Sequence, residues 1–173
     1  MHICVTRFDN KTFEENKNWK QKNNEIGCIY GSPIKISDKI LPYEKILVLE
    51  MNNSINKIAG IGIINNELVI KDIKKKYRIY SDNNYNRYIY KSDLYINMYN
   101  LSTKDKKIIN DLEYLLFKTS KHCKRGHGIQ TIPNNIVNHN FNFIKFLTKL
   151  YEKKFIKINN IKIKIKIKIK INY

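Results

Sequence analysis

The feature that most constrains the fold is a nearly unbroken apolar run over residues 45–51 (Lys-Ile-Leu-Val-Leu-Glu-Met), which ends at the turn-forming residues 52–54. A short apolar run bounded by turn signals is typical of a strand that is covered on both faces. A second apolar segment, residues 58–64, follows the turn, and its alternate small residues allow close approach of backbone or ligand. We therefore expect these two segments to form a hairpin at the centre of a sheet.

Further strands are predicted on both sides of this hairpin. Residues 3–8 and 27–33 are predicted strands, and residues 34–40 alternate apolar and polar side chains. The tyrosine-rich segments 77–80 and 87–95 predict another pair of strands, joined by the polar stretch 81–84.

Helices are predicted at three places. Residues 12–20 read as a short helix, and after Leu101 apolar residues recur at three and four positions, which predicts helices over 102–117 and 136–155. Roughly six strands followed by two helices indicate an α+β domain, with a curved antiparallel sheet or small open barrel and flanking helices.

The end of the chain has a different composition from the rest. Residues 1–155 are predicted to form one domain, whereas residues 156–173 form a tail in which Ile and Lys alternate over 161–171. The alternation fits either a strand with one apolar face or a disordered basic tail, and pairing of an ordered repeat between two copies would give a homodimer. The tail holds six lysines and no acid, which leaves +12 of the formal +18 on the body.

Several classes of protein are disfavoured by composition. The chain has no run of about 18 uncharged apolar residues, so no membrane span is expected. Its first residues do not read as a signal peptide, and three cysteines without paired metal spacing suit a reducing compartment. We therefore expect an intracellular protein, and the net charge of +18 favours a polyanionic partner.

The first candidate site is the tyrosine-rich segment 80–91. In a strand, Tyr88 and Tyr90 share one face while Arg87 lies on the other. A site for single-stranded nucleic acid needs aromatic rings that stack on bases, cations that contact phosphate and amides that bind base edges. The segment therefore predicts nucleic-acid contacts by Tyr85, Arg87, Tyr88 and Tyr90, and the alternative is a tyrosine-rich strand that packs on a sheet.

The second candidate is the basic, glycine-containing loop 118–129. Its glycines allow the backbone to approach an anion closely. Phosphate or nucleic-acid contact is therefore predicted for Lys121, Lys124, Arg125 and His127, and the alternative is a solvated loop.

The third candidate is the pair Asn52 and Asn53 at the end of the central strand. An amide side chain matches the hydrogen-bonding edge of adenine. The alternative is ordinary turn chemistry, in which Glu50 is an exposed strand end.

The sequence gives little support for a metal or for catalysis. A zinc site at His122, Cys123 and His127 would need a fourth ligand such as Cys4, Cys28 or His139, and no CxxC spacing supports it. We expect no metal and no cofactor. No catalytic triad spacing, paired acids or dinucleotide fingerprint is present. A nuclease built from Tyr30, His127 and one acid remains an alternative.

Four strings of the sequence carry a resemblance. They are residues 29–33 (Ile-Tyr-Gly-Ser-Pro), 49–62, 85–88 (Tyr-Asn-Arg-Tyr) and 124–129 (Lys-Arg-Gly-His-Gly-Ile). Together they resemble a protein family encoded by giant nucleocytoplasmic DNA viruses, over residues 1–133. Ile, Asn and Lys make up 84 of the 173 residues, the bias of a very AT-rich coding genome. The resemblance implies a viral source, with the host cytoplasm, viral factory or virion as the setting, and little mechanism.

The strand at 46–49 followed by 58–64 is also similar to the central strands of the PUA-like superfamily, which includes ASCH, EVE and YTH domains. Those domains are small curved sheets with flanking helices that bind RNA or modified bases, so the resemblance implies an RNA-binding pocket. The aromatic cage of YTH domains uses tryptophans, and Trp19 is the only tryptophan here. A cage in this chain would need tyrosines.

We therefore expect a non-catalytic protein that binds nucleic acid, with RNA favoured over DNA. Tyr85, Tyr88 or Tyr90 would stack on bases, Arg87, Lys124 and Arg125 would contact phosphate, and Asn52 or Asn53 would contact a base edge. The alternatives are an enzyme that acts on nucleic acid or nucleotide, and a structural or host-interaction protein.

Overall fold

The computed structural model describes residues 1–69, 77–137 and 141–154. The chain divides into two compact units, Met1–Ile136 and Val137–Tyr173. The predicted Ile-Lys tail, 156–173, lies outside the described residues. Both β-sheets and two of the longer helices belong to the first unit.

The main sheet has five strands in the order β6-β4-β3-β1-β7. Its strands are β1 (His2–Phe8), β3 (Lys45–Asn52), β4 (Lys57–Asn65), β6 (Leu94–Asn97) and β7 (Gln130–Thr131). The predicted hairpin is confirmed as the antiparallel pair β3–β4, and β3 is the central strand, buried from Ile46 to Asn52. The α+β class is likewise confirmed.

The main sheet is mixed, which corrects the expectation of a purely antiparallel sheet, and its described strands do not close into a barrel. β1 pairs with β3 in parallel, with Thr6 opposite Glu50. Helix α1 (Asn10–Lys22) follows β1 directly. It begins at this point because Asp9 caps it through a capping box with Thr12. Parallel neighbours need such a crossover. Among the described strands, β6 and β7 remain the two edges of the sheet.

A second sheet pairs β2 (Cys28–Ser32) with β5 (Tyr88–Ser92), and Tyr30 lies opposite Tyr90. One buried cluster joins the two sheets. It contains Ile46 and Val48 of β3, Ile29 and Tyr30 of β2, and Ile89 and Tyr90 of β5. The second sheet therefore covers one face of the central strand, as the continuous apolar run requires.

The predicted strands at 77–80 and 34–40 are wrong, and the predicted strand at 87–95 is two strands. β5 pairs with β2 and β6 pairs with β4. Residues 77–80 do not join a ladder because the buried Asn86 side chain accepts the N–H groups of Ile79 and Tyr80 and donates to the Tyr80 carbonyl. Similarly, the Ile36 N–H donates to the Tyr90 hydroxyl instead of to a strand.

The predicted second helix is confirmed as α2 (Thr103–Phe117), which Ser102 caps. Its buried face includes Ile109, Leu112 and Leu116, and the helix contacts β4. A single helical turn, α3 (Asn134–Val137), comes later. The second unit contains a helix over 143–154, so the predicted helix over 136–155 begins later than expected, while residues 138–140 and 155 lie outside the described chain.

Candidate functional site

A cavity of about 210 Å³ lies where the end of β1, the start of α1, the β3–β4 turn and the loop after α2 meet. We call it the Arg7 cavity. Four residues of the sequence-predicted site line it: Asn53, Tyr85, Lys124 and His127. The fold therefore brings together one member or more of each of the three candidate motifs, which lie far apart in the sequence.

Arg7 is a half-buried cation in the wall of this cavity. Its Nε donates a hydrogen bond to the Cys123 carbonyl, whereas its Nη1 is buried without a partner. Arg7 takes part in none of the ion pairs among the described residues. Burial lowers the pKa of Arg7, because an unpaired charge is costly to remove from water. Within the described residues, the Arg7 guanidinium thus has one hydrogen-bond acceptor, the Cys123 carbonyl, and its Nη1 has none.

Glycine at position 126 leaves room for this guanidinium. Gly126 has a φ of +120°, and a Cβ there would lie 2.3 Å from Gln130 Oε1 and 3.3 Å from Arg7 Cζ. A side chain at this position would be strained and would crowd the cavity wall.

Asn53 supplies the complementary group. Its backbone N–H donates to the Phe8 carbonyl, and its side-chain Nδ2 donates to the Lys124 carbonyl at 3.0 Å. Its Oδ1 is buried and has no partner. Two residues that line the cavity thus each carry a buried polar atom without a hydrogen-bond partner among the described residues: a donor, Arg7 Nη1, and an acceptor, Asn53 Oδ1. Buried polar groups are usually paired, so these two residues are candidates for hydrogen bonds to a ligand.

Two tyrosines form an aromatic corner in the same wall. The ring centroids of Tyr80 and Tyr85 are 6.1 Å apart, with 69° between the ring planes. The Tyr80 hydroxyl accepts a hydrogen bond from Asn16 Nδ2 at 3.0 Å, and burial raises the pKa of Tyr80. A Cβ at Gly31 would lie 2.1 Å from the Tyr85 carbonyl oxygen, so glycine is needed for this close approach. We call the two rings the tyrosine corner.

Asp9 adds a negative charge to the cavity lining. Its carboxylate accepts the Thr12 N–H at 2.7 Å and the Thr12 hydroxyl at 2.8 Å. These bonds lower the pKa of Asp9, with the backbone N–H of Thr12 as the largest cause. The charge is thus engaged at the N-terminus of α1.

The other tyrosines of the predicted site lie elsewhere. Tyr90 is 1% exposed and its hydroxyl accepts the Ile36 N–H, so its ring belongs to the core and has no free face for stacking. This corrects its predicted role. Tyr88 is half-buried, with Lys35 Nζ 5.8 Å from its ring centroid. Arg87 is exposed and lines a neighbouring depression together with Tyr85 and His127.

Asn52, Lys121 and Arg125 also belong to the predicted site, but they do not line the Arg7 cavity. Asn52 is 4% exposed, and its Oδ1 accepts the Ser54 N–H, which is turn chemistry. Lys121 and Arg125 are exposed and do not line the Arg7 cavity. Sequence reasoning missed Arg7 and Tyr80. An available signal for Arg7 was a single basic residue late in an apolar strand.

A second depression, of about 750 Å³, lies between α1, β4, β6 and α2. We call it the α1–α2 groove. Glu50 lines it and is 2% exposed, which corrects its expected place at an exposed strand end. Its Oε1 accepts the Tyr30 hydroxyl at 2.9 Å, and its Oε2 accepts the Tyr95 hydroxyl at 3.0 Å. Burial raises the pKa of Glu50.

The glycines of β4 make room for these two hydroxyls. A Cβ at Gly60 would lie 1.9 Å from the Tyr95 hydroxyl oxygen, and one at Gly62 would lie 2.0 Å from that of Tyr30. The close approach predicted for this strand is therefore made by side chains of the protein. Burial also raises the pKa of Tyr30 and of Tyr95.

Two further properties limit the chemistry of the described residues. No group of three or more His, Cys, Asp or Glu side chains within them is placed to hold a metal ion, and His139 lies outside them. In the same parts of the chain, no helix has the length and apolarity needed to cross a membrane.

Fold likeness alone would not establish a function, since one fold hosts many. The site geometry carries the argument here, because comparison of the chain with protein-family models, curated proteins and solved structures finds no match.

Proposed function

We propose that this protein binds single-stranded nucleic acid and holds one base in the Arg7 cavity. The observation that carries the proposal is that two residues lining the cavity beside the tyrosine corner, Arg7 and Asn53, each keep a buried polar atom, Nη1 and Oδ1, without a partner among the described residues. A base edge offers both acceptors and donors, and its flat faces stack on aromatic rings.

The volume of the cavity limits the size of the ligand. Pockets for drug-sized ligands measure about 300–1,000 Å³, and the Arg7 cavity, at about 210 Å³, is smaller. One base fits this scale better than a whole nucleotide. Tyr80 is 6% exposed and Tyr85 is half-buried, so Tyr85 is the ring on which a base would stack, and Tyr80 packs against it nearly edge to face. A base with a small modification is the ligand class that such a corner suits.

Phosphate contact is proposed for the cations around the cavity. Lys124 and His127 line it, and Arg87 lies in the neighbouring depression with Tyr85. Lys121 and Arg125 are exposed on the same loop as Lys124. With a net charge of +18, the chain should bind polyanions with a strong salt dependence.

A PUA-like architecture and a preference for RNA over DNA form the finer part of the proposal. The support for the PUA-like architecture is the buried β3–β4 hairpin, the part of the chain whose sequence is similar to the central strands of that superfamily. No catalytic step is proposed.

Fluorescence anisotropy with the full chain tests the proposal. The probes are single-stranded RNA, single-stranded DNA and duplex, each at two salt concentrations. Arg7→Gln removes the buried cation, and Arg78→Gln, at an exposed arginine outside the cavity, is its matched control. We expect Arg7→Gln to weaken single-strand binding about 10- to 100-fold, because hydrogen bonds to charged groups contribute about 1.5–3 kcal/mol. Thermal unfolding verifies that both variants fold.

A second pair of variants tests the tyrosine corner. Tyr85→Leu should weaken single-strand binding, whereas Tyr114→Leu, at a 59% exposed tyrosine on α2, should not. Equal losses for Arg7→Gln and Arg78→Gln, together with no loss for Tyr85→Leu, would reduce the interaction to diffuse lysine electrostatics and overturn the proposed site.

A further inference from the structure

The Arg7 cavity and the α1–α2 groove share a thin wall. On α1, Thr12 lines the cavity and Phe13 lines the groove; at the β3–β4 turn, Asn53 lines the cavity and Asn52 lines the groove. The Asn10 N–H donates to Ser54 Oγ at 3.1 Å, which ties the two sides of this wall together. Neighbouring residues on α1 and at the end of β3 therefore line the two depressions, which makes them adjacent along the chain.

The free charges of the groove are positive. Four lysines line it, and two of them are engaged: Lys57 pairs with Glu113 at 2.7 Å and Lys17 with Glu14 at 3.5 Å. Lys20 and Lys106 form none of the ion pairs within 4.0 Å that the described residues make. The two carboxylates of the groove, Glu50 and Glu113, are both buried and hydrogen-bonded. The groove is thus complementary to an anion.

The groove also presents an exposed ring. Tyr99 lines it and is 88% exposed, on a 3-10 turn whose backbone is fixed by the bond from the Tyr99 N–H to Asn97 Oδ1 at 2.9 Å. Because this backbone is already held, stacking of the Tyr99 ring on a base should cost little backbone entropy. Tyr95 lies deeper, held by Glu50, and Lys20 Nζ lies 4.8 Å from its ring centroid. An exposed ring beside lysine side chains is the combination that binds a stacked nucleotide.

We propose that the α1–α2 groove binds the nucleotides next to the base in the Arg7 cavity, so that one single strand occupies both sites. This inference rests on the proposed function. Tyr99 stacks on a base, and Lys20 and Lys106 contact phosphate.

Oligonucleotide length tests the inference with the full chain. The probes are a single nucleoside monophosphate and a single-stranded RNA hexamer, compared by competition against a labelled hexamer. Tyr99→Ala and Lys20→Gln should weaken the hexamer about tenfold, because stacking on one base contributes about 1–3 kcal/mol, and should leave the monophosphate unchanged. Tyr114→Ala and Lys39→Gln, at exposed positions outside the groove, are the matched controls.

The outcomes separate the two proposals. Unchanged hexamer binding by Tyr99→Ala and Lys20→Gln, with binding still lost in Arg7→Gln, would overturn the groove and leave the cavity in place. Equal weakening of monophosphate and hexamer by Tyr99→Ala would also overturn it, since the groove would then not hold a separate nucleotide. A wild-type chain that binds no oligonucleotide at low salt would overturn both the inference and the proposed function. Tyr99 is exposed, so its loss is not expected to unfold the protein.

Discussion

Substitution of Gly62 by Ala should strongly destabilise the protein. Gly62 lies on β4 opposite Val48, and a Cβ there would lie 2.0 Å from the Tyr30 hydroxyl oxygen and 2.8 Å from Cys28 Sγ. Tyr30 is fully buried, so its ring has no space into which it could retreat. The hydroxyl would have to leave Glu50 Oε1, to which it now donates at 2.9 Å.

The magnitude follows from these two losses. Overpacking a filled core costs about 1–3 kcal/mol, and leaving a buried hydrogen-bonding group unsatisfied costs about 1–3 kcal/mol more. We expect Gly62→Ala to lower the free energy of unfolding by about 2–6 kcal/mol, or Tm by roughly 4–24 °C for a chain of this size. Gly60→Ala should cost less, about 1–2 kcal/mol, because Tyr95 is only half-buried and can rotate away.

Urea unfolding followed by circular dichroism measures both variants. In a Tyr30→Phe background the clashing oxygen is gone, so adding Gly62→Ala should cost at least about 1 kcal/mol less than in the wild type, the size of coupling usual between contacting residues. A Gly62→Ala protein that is as stable as the wild type would refute the reasoning. An unobstructed Gly→Ala change inside a strand is stabilising by roughly 0.5–1 kcal/mol, so the sign of the change decides the question.

Two other predictions concern buried polar groups. Burial raises the pKa of Glu50 above its ordinary value of 4.5, so the native state binds this proton more tightly than the unfolded state does. The free energy of unfolding should therefore fall as pH rises above about 4.5, and Glu50→Gln should lack this fall. Urea unfolding at pH 4 to 8 measures both proteins, and parallel pH curves would contradict the prediction. Asn86→Ala removes the side-chain hydrogen bonds to Ile79 and Tyr80 and should lower the free energy of unfolding by about 2–4 kcal/mol. Asn83→Ala, at an exposed position, should change it by less than about 0.5 kcal/mol. Equal shifts of Tm in the two variants would show that Asn86 does not stabilise the tyrosine corner.

Local signals in the sequence predicted much of the fold. The β3–β4 hairpin follows from two apolar runs around a turn, and α2 follows from apolar spacing after a capping serine. Strand partners could not be predicted in this way. The pairing of Ser32 with Tyr88 joins residues that are distant in sequence, and it depends on Asn86 taking the backbone bonds of Ile79 and Tyr80. Nothing in the local pattern of residues 77–95 separates one long hairpin from two strands in different sheets.

The sequence alone did not show which candidate residues lie together, because they come from segments that are distant in sequence. Asn53, Tyr85, Lys124 and His127 were chosen for their chemistry, and the fold places all four at one cavity. Tyr90 failed because Ile89 and Tyr90 are both buried, so the alternation expected of a half-exposed strand does not hold in β5. Glu50 was misplaced because its partners, the hydroxyls of Tyr30 and Tyr95, lie 20 and 45 residues away. A carboxylate at a strand end is exposed by default, and only the fold supplies two donors that make its burial tolerable.

The end of β3 explains how one short segment can serve two concave surfaces. Glu50 and Asn52 point into the groove side, where both line the α1–α2 groove, while Asn53, the next residue after Asn52, lines the Arg7 cavity. The Asn53 N–H bonds the Phe8 carbonyl and its side chain bonds the Lys124 carbonyl, so the turn is fixed to β1 and to the basic loop at once. A ligand in the proposed site would therefore meet a turn that two hydrogen bonds of Asn53 already hold in place. Because little ordering remains to be done on binding, affinity in such a site should depend mainly on the fit of the ligand, which is the condition under which a cavity discriminates one base from another.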